Sequence, residues 1–98
     1  MADYILSKKA QEDLRKIWYY TVETWSEKQA DIYFHDLVQS LNLIADDPNT
    51  VGRSYEEVRA GYRGFRSGRH IIFYRILKNG KARIIRILHE WMDFGRHL

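Results

Sequence analysis

His70-Ile-Ile-Phe-Tyr-Arg-Ile-Leu77, Lys78-Asn-Gly-Lys81 and Ala82-Arg-Ile-Ile-Arg-Ile-Leu-His89 follow one another without interruption, two strand-like runs on either side of Asn79-Gly80. Asn-Gly supplies the positive φ angles of a two-residue turn, so the stretch predicts an antiparallel β-hairpin whose register the turn fixes. His70 then faces His89, Ile72 faces Ile87, Phe73 faces Arg86, Tyr74 faces Ile85 and Arg75 faces Ile84. One face carries His70, Ile72, Tyr74, Ile76, Arg83, Ile85, Ile87 and His89. The other carries Ile71, Phe73, Arg75, Leu77, Ala82, Ile84, Arg86 and Leu88. Both are mostly apolar, as in a sheet covered on two sides.

The first half of the chain supplies one cover. Asp3-Tyr-Ile-Leu6 reads as a short strand, and Ser7 as the cap of a helix over residues 8 to 25. Leu14, Ile17, Trp18, Thr21, Val22 and Trp25 mark its buried stripe, with Asp13 and the other charged residues mostly elsewhere. Lys8 and Lys9 fall in its first turn, where the helix dipole disfavours cations; that placement is either neutral or the mark of a contact surface. Ser26-Glu-Lys-Gln29 has the form of a capping box and restarts a helix at once. Ala30, Tyr33, Phe34, Leu37, Leu41, Ile44 and Ala45 form the second stripe, and Asp46-Asp47-Pro48-Asn49 ends it. Two helices with so short a linker fold back as an antiparallel pair on one sheet face. The segment from Thr50 to Gly68 is expected to add strands near residues 55–59 and 61–66. The other sheet face must be covered by the last residues, Trp91, Met92 and Phe94 among them, by a partner protein, or by strong curvature of the sheet.

The chain of 98 residues is 45% hydrophobic and 14% aromatic, enough for one domain over residues 1–98 with its own core. The expected class is α+β: a short N-terminal strand and a two-helix antiparallel hairpin packed on a twisted, mainly antiparallel sheet. Without cysteine there is no disulfide, thiol nucleophile or thiolate metal site. No apolar run approaches membrane-spanning length, and a cytoplasmic location is expected. Residues 1–52 hold five Lys/Arg against nine Asp/Glu, whereas residues 53–98 hold eleven against four, nine of the eleven being arginine. A second half that faces a polyanion is expected, with a basic rim serving solubility as the plain alternative.

Four histidines and the arginines are the candidates for chemistry. His35 looks like edge packing. His70 and His89 form a cross-strand pair without a third ligand, so no metal or other cofactor is expected. Arg63, Arg66 and Arg69 with His89 are the groups that metal-free RNA cleavage would use, arginines for phosphoryl charge and imidazole for the proton. Arginines on edge strands also block edge-to-edge aggregation, and His89 has an alternative role in hydrogen bonding the turn around Met92-Asp93. Walker, dinucleotide-binding and nucleophile-elbow motifs are absent.

Tyr4-x-Leu6-Ser7-x-x-Ala10-x-x-Asp13-Leu14-x-x-Ile17, Trp25-x-x-x-Gln29-Ala30-x-x-Tyr33, Gly61-Tyr-Arg63 and the block from His70 to Leu98 resemble, in order and spacing, the ParE family within the RelE and ParE toxin superfamily. The resemblance implies a toxin of a two-gene toxin–antitoxin pair, poisoning DNA gyrase by binding and held in a hetero-oligomer by a ParD-like antitoxin. It implies no membrane partner and no sequence-specific DNA binding by the toxin itself. On that reading Arg83, His89, Trp91 and Met92 serve target poisoning, and Arg53, Arg59, Arg63 and Arg75 receive the antitoxin. The sister RelE group cleaves messenger RNA on the ribosome. That alternative rests here on Arg63, Arg69 and His89, in a tail without the tyrosine it often uses. An inactive regulatory binding module is the third reading.

Overall fold

A computed structural model describes residues 3–98. The element order is β1 (Tyr4–Leu6), α1 (Lys8–Thr24), α2 (Glu27–Asp46), β2 (Arg53–Ser54), β3 (Arg63–Ser67), β4 (His70–Ile76), β5 (Ala82–His89) and α3 (Phe94–His97). The strands form one five-stranded sheet in the order β1-β5-β4-β3-β2, antiparallel except for the parallel β1–β5 pair. This is the expected α+β arrangement. None of the helices is long and apolar enough to cross a membrane among the described residues.

Both helices start as the capping residues require. Ser7 Oγ accepts from Ala10 N and Ser26 Oγ accepts from Gln29 N, each at 3.0 Å. The reciprocal half of the capping box is replaced: Ser26 N donates to Thr21 O, which joins the second helix to the last turn of the first. The helical stripes bury Ala10, Leu14, Ile17, Leu37, Leu41 and Ile44 against Ile72, Tyr74, Ala82, Ile84 and Ile87 of the sheet. Trp25 departs from the expected stripe. It sits at the end of α1, past the sheet, and is 72% exposed.

The hairpin corrects the expected register in an instructive way. Leu77 N donates to Lys81 O and Gly80 takes φ +86°, so the loop has three residues, with glycine at the left-handed position, rather than two. Tyr74 therefore faces Ile84, not Ile85, and Arg75 faces Arg83, not Ile84. A bulge on β5 at Ile85 then restores the pairs Phe73–Arg86, Ile72–Ile87 and His70–His89. Two irregularities of opposite effect cancel. The strand half near the loop flips: Ala82 and Ile84 go under the helices, while Arg83 and Ile85 turn to the opposite face.

That opposite face has its own core, Tyr55, Tyr62, Ile71, Phe73 and Leu88, with Val58, Ile85, Phe94 and Leu98 packed against it. The chain thus covers its second face itself, with the segment 55–62 and the residues from Phe94 on. Phe94 meets the Phe73 ring at 4.8 Å and the Tyr55 ring at 6.1 Å, both edge to face. Trp91 and Met92, expected in this cover, are exposed instead.

The expected strand at 55–59 is also absent. Tyr55 O accepts from Val58 N and Arg59 N, and Glu56 Oε1 accepts from Gly61 N, which closes the segment into turns. The second expected strand, 61–66, is realised as β3. Its Gly64 lies under the Tyr55 ring, where a Cβ would stand 2.5 Å from a ring carbon.

Candidate functional site

Beyond the end of β1, the edge of β5 is closed by α1 rather than by another strand. Asp13, buried in α1, accepts from Ile87 N at 3.0 Å and holds Arg86 with both carboxylate oxygens, Nε at 2.8 Å and Nη2 at 2.9 Å. The carboxylate raises the Arg86 pKa further, chiefly through its hydrogen bond. The sequence reading leaves Asp13 on the polar side of its helix, and its burial follows from its bonds to Arg86 and Ile87 N across the edge of β5.

Two concave regions lie at opposite ends of β5. At the His89 end, a cleft of about 510 Å³ is lined by Tyr20, Thr21, Trp25, Gln29, Tyr33, Arg69, His70, His89 and Trp91. Tyr20, Trp25 and Trp91 are 67%, 72% and 82% exposed, an unusual concentration of large aromatic surface. Beneath them the imidazoles of His70 and His89 meet edge to face at 5.4 Å, and Trp91 packs on His89 at 5.7 Å. His89 Nδ1 accepts from Trp91 N, so this histidine shapes the turn that follows β5, one residue earlier than the expected contact. Arg66 and Arg69 converge on Glu90 at 2.6 and 3.2 Å, and these ion pairs, Arg66 first, hold the Glu90 carboxyl below the usual range.

Tyr33 is the member of this site that sequence reasoning placed only in the core. Its hydroxyl shares a hydrogen bond with His70 Nδ1 at 2.6 Å, accepts from Arg69 N at 2.9 Å and lies 3.4 Å from Ser67 O. Burial, then the neighbouring His89, lowers the His70 pKa to about 4. The unfolded chain keeps the ordinary value near 6.5 and binds the proton first, so stability is full above that value and falls as pH drops towards 4. The slope from this group is at most about 1.4 kcal/mol per pH unit. Urea denaturation of the wild type and of His70→Gln between pH 7 and 4 checks this: the wild type is expected to lose more stability over that interval. Equal losses would remove His70 as the cause.

At the Arg83 end, a pocket of about 460 Å³ is lined by Ser7, Lys8, Lys9, Tyr62, Arg75, Leu77, Arg83, Ile85, Arg86, His97 and Leu98. Five of these side chains are Lys or Arg and none is acidic.

The expected groups of residues are distributed as follows. Arg83 lies in the basic pocket while His89 and Trp91 border the aromatic cleft, six residues along β5 or roughly 20 Å away. Met92 is exposed beside them. Arg69 and His89 share the aromatic cleft, whereas Arg63 sits four residues along β3 from Ser67, roughly 13 Å away. Its guanidinium donates to Asn49 O, Gly52 O and Tyr74 Oη. Arg53 stacks on the Tyr55 ring at 3.6 Å and pairs with Glu57, Arg59 donates to the Leu98 main-chain oxygen, and Arg75 is open to solvent over Tyr62. Among the described residues no group of three or more histidine or acidic side chains is placed to hold a metal.

Comparison with known proteins places this architecture. A family model described as the ParE toxin of the type II toxin–antitoxin system parDE matches residues 4–94. Toxin ParE1 of Caulobacter vibrioides is 40% identical over 98 residues, covering all of this chain and 99% of the relative. Toxin ParE1 of Mycobacterium tuberculosis is 38% identical over 95 residues, 97% of this chain and 96% of the relative. Among solved structures, a chain of the chromosomal ParDE system of P. aeruginosa superposes with a TM-score of 0.78 at 23% identity, covering 91% of this chain and 96% of that one. A chain of the RelBE2 toxin–antitoxin complex of Mycobacterium tuberculosis gives 0.60 at 20% identity, covering 90% and 96%.

Proposed function

The chain belongs to the ParE family of toxins from type II toxin–antitoxin systems, and from that premise we propose that it poisons DNA gyrase by binding it and is neutralised by a ParD-like antitoxin. The observation that carries this choice is the state of the arginines. A RelE-type cleavage of RNA would need Arg63, Arg69 and His89 around one phosphodiester. Here Arg63 is spent on two backbone carbonyls and a tyrosine hydroxyl at the far end of β3, and Arg69 shares Glu90 with Arg66. What the fold leaves open is binding surface. Trp25, Tyr20 and Trp91 stand out around the cleft, and Tyr19, Ile32 and Leu43 are exposed on the helices. Aromatic side chains of this kind anchor protein interfaces.

His89, Trp91 and Met92 form one part of the target-facing surface on this reading, with Arg83 at a distance contributing charge. The antitoxin segment covers the helical hairpin edge and reaches Arg53, Arg59 and Arg75. Arg63 supports that surface from beneath. An amphipathic, acidic segment suits both the exposed apolar side chains and these cations.

The experiment is to incubate the purified toxin with gyrase, ATP and supercoiled plasmid, then denature and digest with protease. Linear DNA is expected to accumulate, to be suppressed by prior addition of the cognate antitoxin, and to fall strongly with Trp91→Ala. Intact plasmid in the presence of folded, antitoxin-free toxin would exclude gyrase. Cleavage of messenger RNA on ribosomes in the same preparation would then favour the RelE-type reading.

A further inference from the structure

We propose that the pocket between the start of α1 and the loop half of the hairpin is a binding site for closely spaced phosphates, those of a nucleic acid strand above all. This goes beyond the toxin reading and does not depend on which enzyme is the target.

Two local rules are broken at one place. Lys8 and Lys9 occupy the first turn of α1, against the helix dipole. Arg75 and Arg83 lie directly opposite each other across β4 and β5, where like charges destabilise. Arg83 reaches that position only because the three-residue loop and the bulge at Ile85 shift the register. In the register of a two-residue turn it would face Ile76 on the helical side. Bulges commonly re-aim a side chain, and this one aims a guanidinium at a second guanidinium. Conflicts between local preference and the fold mark functional positions.

Among the described residues none of these four cations forms an ion pair, and Arg75 has only the Tyr62 ring beneath it. Arg86 has Asp13, but Lys8, Lys9, Arg75 and Arg83 have no carboxylate within ion-pair distance, although the first half of the chain is acidic. The contrast with the other end of β5 is direct, since there two arginines share Glu90. The main-chain N–H groups of Lys8 and Lys9 precede the one that Ser7 caps, and Ser7 Oγ itself donates to Ile85 O, which fixes the helix start against the pocket. Four cations without ion pairs around some 460 Å³ require several negative charges in a small volume. A phosphodiester strand carries a negative charge on every repeat, and each phosphate accepts the bidentate arginine fork. A free oligophosphate has the same chemistry.

The test uses the purified toxin alone, with fluorescence anisotropy of a labelled 20-nucleotide thymidine strand at low salt, and with ATP and inorganic triphosphate as competitors. Arg75→Ala/Arg83→Ala is expected to weaken strand binding at least about tenfold and to flatten the salt dependence of log K by about 1.4, two phosphates at 0.7 each. Arg75→Lys/Arg83→Lys should retain most of the affinity, and Lys28→Glu, an exposed charge at the start of α2 away from the pocket, should have much less effect. Competition by triphosphate at micromolar concentration would identify free oligophosphate as a ligand; competition only at millimolar concentration would identify the strand. Circular dichroism confirms that each variant is folded. The proposal is overturned if neither strand nor triphosphate binds, if the alanine pair binds like wild type, or if a glutamate peptide of equal length binds as tightly through the same arginines.

Discussion

Asp13→Ala is expected to destabilise the fold by about 3–5 kcal/mol, a large part of what a domain of this size possesses. The carboxylate is 7% exposed and serves three donors at once, Nε and Nη2 of Arg86 and the main-chain N–H of Ile87. Its removal leaves a partly buried guanidinium with His97 O as its remaining acceptor, and an edge N–H of β5 with none, which costs more than the loss of an ion pair in water. Urea denaturation is the measurement, with the midpoint expected to fall and the slope to stay constant. The double variant Asp13→Leu/Arg86→Met separates the two costs. It should recover the part due to the stranded charge but remain about 1–3 kcal/mol below wild type, because Ile87 N still lacks its acceptor. A single variant within 1 kcal/mol of wild type would mean that water replaces the carboxylate and that α1 does not close the edge of β5 as described.

Asp13 also shows where the sequence stops being legible. Helix positions, caps and the apolar stripes could be read from spacing because they depend on neighbours three and four residues away. The edge of β5 depends on residues 73 positions apart, and an aspartate in a polar run carries no sign of that contact. The hairpin was half legible for a related reason. Asn79-Gly80 marks a turn, yet the same pair suits a two-residue loop and the end of a three-residue one, and nothing local announces the bulge at Ile85. His70 meets His89 as expected only because the two deviations cancel. Residues 55–59 read as a strand because short apolar residues are interleaved with arginine from Thr50 to Gly68, whereas Glu56 and the carbonyl of Tyr55 close the segment into turns. The arginine clusters were visible in composition, but their partners were not. Glu90 neutralises one pair, backbone carbonyls occupy Arg63, and the pair at the loop remains open.

Tyr74→Ala carries the other large expected effect, about 3–5 kcal/mol. The ring is fully buried between the helices and the sheet, and its hydroxyl donates to Pro48 O at 2.6 Å and accepts from Arg63 Nε at 3.3 Å. Through that hydroxyl the middle of the sheet is tied to the loop that ends α2. Tyr74→Phe keeps the ring and is expected to cost about 1–3 kcal/mol, the penalty for a buried carbonyl left without its donor. Arg63→Ala belongs to the same series, since its guanidinium also holds Asn49 O and Gly52 O, and should lower the urea midpoint by a comparable amount. If Tyr74→Phe and Arg63→Ala act through one structure, their double variant will fall short of the sum of the singles. Antitoxin affinity should then decline with each variant in proportion to lost stability. Loss of antitoxin binding by Arg63→Ala at an unchanged midpoint would instead place that guanidinium at the interface and assign the anchoring of the α2 loop to Tyr74 alone.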